Sequence, residues 1–127
     1  MLEIKATLRI SSVKYSLEEI KKSLGDPTLG FSIGDSCKNS HRKREFSLWA
    51  LESTVGLSEG LDAHVEKLVD FLDEKSEEIK HLRETQLDIF CMHSSDNGQG
   101  GSSLSSGIIK RMSKYDLDLS FDVYASE

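Results

Sequence analysis

The sequence predicts an α+β fold with a mostly antiparallel sheet and helices on one face. Apolar and polar residues alternate over residues 2–11 and 117–124, a pattern typical of strands that bury one side. Amphipathic helical patterns over residues 17–24 and 61–85 separate the strand-like segments. Strands that alternate with helices in this way favour a sheet that is covered on a single face.

The first strand is the clearest element. Its even positions form the apolar row, namely Leu2, Ile4, Ala6, Leu8 and Ile10. The first helix is expected to begin after Ser16, whose side-chain oxygen can accept a bond from a free amide, and to end at Gly25, before Pro27. Alternating apolar residues then allow a short strand over residues 28–34.

The second half of the chain repeats strands and helices. Residues 46–53 carry apolar side chains on both faces, which favours a central strand. A long helix is predicted over residues 61–85, and a strand follows over residues 87–93. A short helix over residues 105–114 and a last strand over residues 117–124 complete the chain.

If the strand over residues 28–34 is present, the first six elements have the ferredoxin-like order β-α-β-β-α-β, to which the chain adds a C-terminal α-β unit. We find no internal repeat and no linker. We therefore expect a single domain over residues 1–127.

Composition excludes several classes of function. The chain has 22 acidic and 16 basic residues and a net charge of −6, which argues against nucleic-acid binding. No segment has the ~20 consecutive apolar residues of a membrane span, and no signal peptide is evident, so we expect a cytoplasmic protein without membrane contact. Cys37 and Cys91 are expected to be free thiols.

Catalytic, metal and cofactor sites are not predicted. Cys37, His41, Cys91 and His93 are zinc-ligand types, but their spacing lacks the usual paired motifs. No Gly-x-Ser-x-Gly elbow is present, and the glycine-rich segment 94–103 has neither a phosphate-loop lysine nor dinucleotide spacing. We expect that segment to be a flexible turn.

The strongest candidate for a binding site is the sheet face opposite the helices. Its predicted residues combine aromatic and polar groups, which is more typical of a binding surface than of a solvated face. They are Thr7, Arg9, Trp49, Phe90, Met92, Ser120, Asp122 and Tyr124. We predict that Arg9, Trp49, Phe90, Asp122 and Tyr124 make the binding contacts. The alternatives are that this face self-associates or is covered by residues 26–45.

Several segments together resemble a known family. They are residues 16–20, Gly34-Asp35, residues 47–53 (Ser-Leu-Trp-Ala-Leu-Glu-Ser), residues 103–105 after the glycine-rich turn, and the terminal Asp122-Val123-Tyr124. This chain resembles the bacterial family known as domain of unknown function 4279 over nearly its whole length. The resemblance implies a stand-alone α+β domain and brings neither an established activity nor catalytic residues.

Two hypotheses about function follow. The first is a non-enzymatic protein-binding domain, of an immunity or regulatory type, whose partner is another protein or a second copy in a homodimer. The second is a small-molecule-binding or enzymatic domain. Its pocket would lie between the sheet face and residues 35–45, with contacts from Arg9, Arg42, Arg44 and Asp122, and the glycine-rich loop would close over it.

Overall fold

The computed structural model describes residues 2–125, which form five strands and four helices, one helix more than predicted. The strands are β1 (Leu2–Ser12), β2 (Leu29–Phe31), β3 (Ser47–Glu52), β4 (Thr85–Ser95) and β5 (Leu117–Ala125). The helices are α1 (Leu17–Leu24), α2 (Leu61–Glu74), α3 (Ser76–His81) and α4 (Ser106–Met112). The predicted α+β class is confirmed.

The five strands form one sheet in the order β2-β3-β1-β4-β5. Neighbouring strands are antiparallel except for β4 and β5, which are parallel and are connected through α4. The short strand allowed over residues 28–34 is present as the three residues of β2. β1 is central, and Thr7 lies between Glu52 of β3 and Phe90 of β4. Because opposed residues share a face, this register decides which side chains lie together.

One face of the sheet is packed against the helices. From Ile4 to Ile10 the even positions of β1 are buried, whereas the odd positions between them are half-buried. Ile89 and Cys91 of β4 continue this apolar layer. The helix residues that complete the core are Ile20, Leu24, Val65, Leu68, Val69, Leu72, Ile108 and Met112. This layer confirms the period-two pattern that the sequence shows in β1.

Helix α1 has the boundaries that its sequence predicts. The backbone N–H of Glu19 donates to Oγ of Ser16 over 3.2 Å, and the N–H of Ser16 donates to Oε1 of Glu19 over 3.1 Å. Together these bonds form a capping box, in which the Ser16 side chain is typically worth ~1 kcal/mol. At the other end, Gly25 has a φ of 91° and its N–H bonds to the carbonyl of Lys21.

The prediction of one long helix over residues 61–85 is wrong in detail, because the helix is divided at Lys75 into α2 and α3. No glycine or proline marks this position, so the sequence carries no local breaking signal. Beyond this break, Ile79 and Leu82 still pack against the core. Among the helices of residues 2–125, none has both the length and the apolar character to cross a bilayer.

The predicted position of Trp49 on the exposed face is wrong. Trp49 lies opposite Ile10 of β1, so it points toward the helices, and it is fully buried. Its indole stacks on Phe71 of α2 at 5.4 Å between ring centroids. Its Nε1–H donates to the carbonyl of Gly25 over 2.9 Å. Trp49 is therefore a core residue that joins β3 to α1 and α2.

The second half of β5 is less buried than the sequence predicts. Leu117 and Leu119 pack against the core, but Phe121 is 51% exposed and Val123 is 70% exposed. The seven residues of α4 span only ~10 Å, whereas the nine of β5 span ~30 Å. The helix is therefore too short to cover the end of its neighbouring strand.

Candidate functional site

The side of the sheet away from the helices is called the open face, and no helix of residues 2–125 packs on it. It comprises the odd positions of β1, the even positions of β3, β4 and β5, and Leu29 and Phe31 of β2. Most of its side chains are half-buried or exposed, and Ala50 is a buried exception. The structure places Arg9, Phe90, Asp122 and Tyr124 on this face, as predicted.

Arg9 is a charged group of the open face that two neighbouring side chains hold in place. Its Nε donates to Oδ1 of Asp88 over 2.7 Å, and its Nη2 donates to Oδ2 of the same carboxylate. The guanidinium also lies over the ring of Phe90, with Cζ at 4.6 Å from the centroid. Hydrogen bonding to Asp88 raises the pKa of Arg9, although desolvation acts in the opposite direction. The result is a preorganised cation with one half-exposed surface.

The register explains why these three residues meet. Arg9 and Asp88 are directly opposed on antiparallel strands, and Phe90 opposes Thr7 and lies diagonally from Arg9. Strand alternation in the sequence predicts Arg9 and Phe90 on one face but does not show that Asp88 is the partner of Arg9. Opposite charges on two neighbouring strands indicate that an ion pair can form, but the paired residues can be identified only when the register between the strands is known.

The rest of the open face is mixed in charge. Lys5 lies 3.1 Å from a carboxylate oxygen of Glu52. The hydroxyl of Tyr124 donates to Asp122 over 2.8 Å, and this bond raises the pKa of the tyrosine. Within residues 2–125, no basic side chain forms an ion pair with Asp118 or Asp122. The β5 side of the face therefore has an uncompensated negative charge.

A shallow depression of about 550 Å³ lies beside Arg9 at one end of the open face. Phe46 and Leu48 supply apolar lining. Its polar side chains include Arg9, Ser11, Gln86, Asp88, Asp116 and Asp118. Sequence reasoning did not identify Phe46, Asp116 or Asp118, because no local pattern shows that their segments meet.

The residues predicted to line the alternative pocket do not converge on one cavity. Arg44 lies over Phe31, with Cζ at 3.9 Å from the ring centroid, and it lines a separate depression together with Arg42. Asp122 lies four positions farther along β5 than Asp118 and does not line the depression beside Arg9. Phe46 is the residue that the two depressions share.

The glycine-rich loop lies at a different place from the one predicted. Gly100 packs near the side chain of Leu2, which belongs to the helix-facing row of β1. The loop lines a depression of about 250 Å³ together with His93, Phe121 and Val123. The expectation that this loop closes over the open face is therefore wrong.

A buried serine–histidine pair joins the end of β3 to α2. Oγ of Ser53 lies 2.7 Å from Nδ1 of His64, and both residues are buried. Desolvation lowers the pKa of His64, while the carbonyls of Gly56 and Glu59 partly oppose this effect. A substrate has no access to such a pair, so its role is structural.

A second serine–histidine pair lies at the glycine-rich loop. Nε2 of His93 is 2.7 Å from Oγ of Ser102, and burial lowers the pKa of the imidazole. Within the described chain, Nδ1 of His93 has no hydrogen-bond partner. The carboxylate that orients the base in a catalytic triad is therefore not supplied here.

The cysteines are both free thiols in the described structure. Burial is the main cause that raises the pKa of Cys91, to about 11, so its thiol is protonated at neutral pH. Cys37 is half-buried in the segment before β3. Within residues 2–125, no group of three or more histidine, cysteine or acidic side chains is arranged to hold a metal ion.

Comparisons with known proteins identify the family but not an activity. No curated protein and no solved structure matches this chain. A family model described as "Domain of unknown function (DUF4279)" matches residues 2–126, which is essentially the whole sequence. The resemblance seen in the sequence is confirmed, and the chain belongs to the DUF4279 family.

Proposed function

We propose that this chain is a non-enzymatic protein-binding domain, with an immunity-type or regulatory role, whose open face contacts a partner protein. The observation that carries the proposal is the arrangement of Arg9 between Asp88 and Phe90 on a face without helices. Arginine and aromatic residues are the side chains that most often dominate binding energy at protein interfaces.

The geometry of Arg9 reduces the cost of binding. A long side chain normally loses rotamer freedom when a partner immobilises it, at a cost of ~0.5–1.5 kcal/mol. Two bonds to Asp88 and the ring of Phe90 already restrict the guanidinium. A partner therefore meets a rigid planar cation beside an aromatic ring.

The charge of the open face favours a basic partner. Arg9 and Lys5 are neutralised by neighbouring carboxylates, whereas Asp118 and Asp122 have no basic counterpart among the described residues. The whole chain carries a net charge of −6. We therefore expect a partner whose contact surface has lysine or arginine near apolar groups, and an association rate that falls as salt is added.

The test compares variants of the open face in affinity capture from cells that carry this gene. The variants are Phe90→Ala and Asp122→Lys, and the matched control is Ile109→Ala, which alters an exposed apolar side chain of α4. We expect one basic protein to be retained by the wild type and by the control, and lost with both open-face variants. Equal retention by all four proteins, or no specific protein at all, would refute the proposal. Circular dichroism establishes that each variant is folded.

A second candidate function is binding of a small organic cation in the depression beside Arg9. The supporting observation is that Asp116 and Asp118 line it together with the ring of Phe46. Carboxylates next to an aromatic ring are suited to an amine or amidine. Spermidine and agmatine are suitable probes in a thermal-shift titration. A rise in Tm that is lost in Asp118→Asn and kept in Asp122→Asn would support this function, and the absence of any rise would reject it for these cations.

A further inference from the structure

The two edges of the sheet differ in a way that bears on assembly. The β2 edge is only three residues long, and a very short edge strand is one of the usual protections against unwanted pairing. The β5 edge has nine residues, Leu-Asp-Leu-Ser-Phe-Asp-Val-Tyr-Ala, with neither proline nor lysine. Within residues 2–125, no other strand pairs with its outer side.

The side chains of β5 add apolar surface at this edge. Phe121 and Val123 are 51% and 70% exposed on the helix side, and Tyr124 is 53% exposed on the open face. A long strand with exposed aromatic and β-branched residues is a template for another strand. Of the features by which natural edge strands prevent pairing, β5 has only its two charged residues, Asp118 and Asp122.

We propose that β5 pairs in the antiparallel direction with β5 of a second copy of this chain, which makes a two-fold symmetric dimer with a continuous ten-stranded sheet. The charges of β5 select one register. With Phe121 on the two-fold axis, Leu119 opposes Val123 and Ser120 opposes Asp122. Asp118 then opposes Tyr124, which is uncharged.

Two neighbouring registers also keep the helices of both copies on the same side of the continuous sheet, and both are unfavourable. An axis through Ser120 places Asp118 directly opposite Asp122, and an axis through Asp122 places that residue opposite its own copy. Like charges that face each other across a strand pair destabilise it. A shift by a single position would place the helices of the second copy on the opposite side of the sheet. Of these three registers, the one centred on Phe121 places each carboxylate opposite an uncharged residue.

The two proposals share Asp118 and Asp122, but Arg9, Asp88 and Phe90 lie outside β5, so Phe90→Ala tests partner binding without altering the dimer edge. The dimer would place two open faces side by side on one continuous surface. Its failure and the failure of the proposed function are therefore distinguishable. The first would appear as a monomer that still captures a partner, and the second as a dimer that captures none.

The first experiment measures mass by light scattering at increasing protein concentration. The chain has a mass of 14.2 kDa, and we expect the wild type to approach twice this value. Val123→Lys should weaken dimerisation at least about tenfold, since it places a lysine on the edge. The matched control is Val13→Lys, because Val13 is also 70% exposed but lies outside the sheet edge, and this variant should dimerise like the wild type.

The second experiment tests the register with engineered disulfides. Cys91 lies beside Phe121 on the neighbouring strand, so the background is Cys37→Ser with Cys91→Ala. In this background Phe121→Cys places two thiols across the axis, where the ~4.5–5.5 Å between Cα atoms permits a disulfide. In Val123→Cys the two thiols are ~14 Å apart along the strands, so no bond should form.

The results separate the possibilities. Oxidation that cross-links Phe121→Cys but not Val123→Cys, together with loss of the dimer in Val123→Lys alone, supports the proposal. A wild type that stays at the monomer mass at every concentration overturns it. Cross-linking of Val123→Cys in preference to Phe121→Cys, or a dimer that Val123→Lys leaves unchanged, overturns it as well.

Discussion

Replacing Trp49 with phenylalanine should lower the free energy of unfolding by about 1.5–2.5 kcal/mol without changing the open face. The substitution removes the Nε1–H that bonds to the carbonyl of Gly25 over 2.9 Å, a loss typically worth ~0.5–1.5 kcal/mol. It also leaves a cavity where the indole stacked on Phe71, and ~40 Å³ of lost volume costs ~1 kcal/mol at 24 cal/mol per Å³. Trp49→Ala should cost more, ~3–5 kcal/mol.

Urea denaturation followed by far-ultraviolet circular dichroism measures this loss, because Trp49 is the only tryptophan and fluorescence cannot follow its own removal. In the wild type the same residue provides an independent check, since a buried indole should resist quenching by acrylamide until the chain unfolds. The reasoning would be refuted by a loss below 0.5 kcal/mol, within the range of a surface substitution. Efficient quenching in the native state would contradict it equally.

Three further predictions concern the buried histidines, the close backbone approach at Gly30 and the two thiols. Burial lowers the pKa of His64 and of His93, so in acid the unfolded chain binds protons that the folded chain does not. The histidine contribution to stability should therefore be complete above a pH of ~6.5 and fall below it. The urea midpoint should accordingly be lower at pH 5 than at pH 7.5. Gly30→Ala should cost ~1–3 kcal/mol, because a Cβ there would lie 2.5 Å from the backbone oxygen of Leu48, and a thermal melt would show the loss. A thiol reagent should label Cys37 in the native protein and Cys91 only after denaturation; fast native labelling of both would contradict the burial that raises the pKa of Cys91 to about 11.

Local patterns predicted the elements of the fold well where one signal dominated. Strict alternation in β1 identified its buried row, and Ser16 with Gly25 identified both ends of α1. The open-face positions of Arg9, Phe90, Asp122 and Tyr124 followed from the same alternation in β1, β4 and β5. These predictions depended on residues that are close in sequence.

Trp49 shows why other predictions failed. Its strand carries apolar residues on both faces, so a period of two gives no preference between them. Its orientation is decided by pairing with Ile10, far away in sequence, and by the bond to Gly25. The Arg9–Asp88 pair was missed for the same reason, because an ion pair between strands is visible only in the register.

The central position of β1 has a consequence for synthesis of the chain. This strand is synthesised before both of its neighbours, and its partner β4 ends at Ser95, about 80 residues after Ser12. At a synthesis rate of ~5–20 residues per second, ~4–16 s pass between the synthesis of β1 and the completion of both neighbouring strands. During that interval α1, β3 and α2 emerge in turn and can cover part of the strand, but its β4 side stays unpaired. Nascent chains should therefore be most vulnerable to aggregation and to proteolysis before β4 emerges.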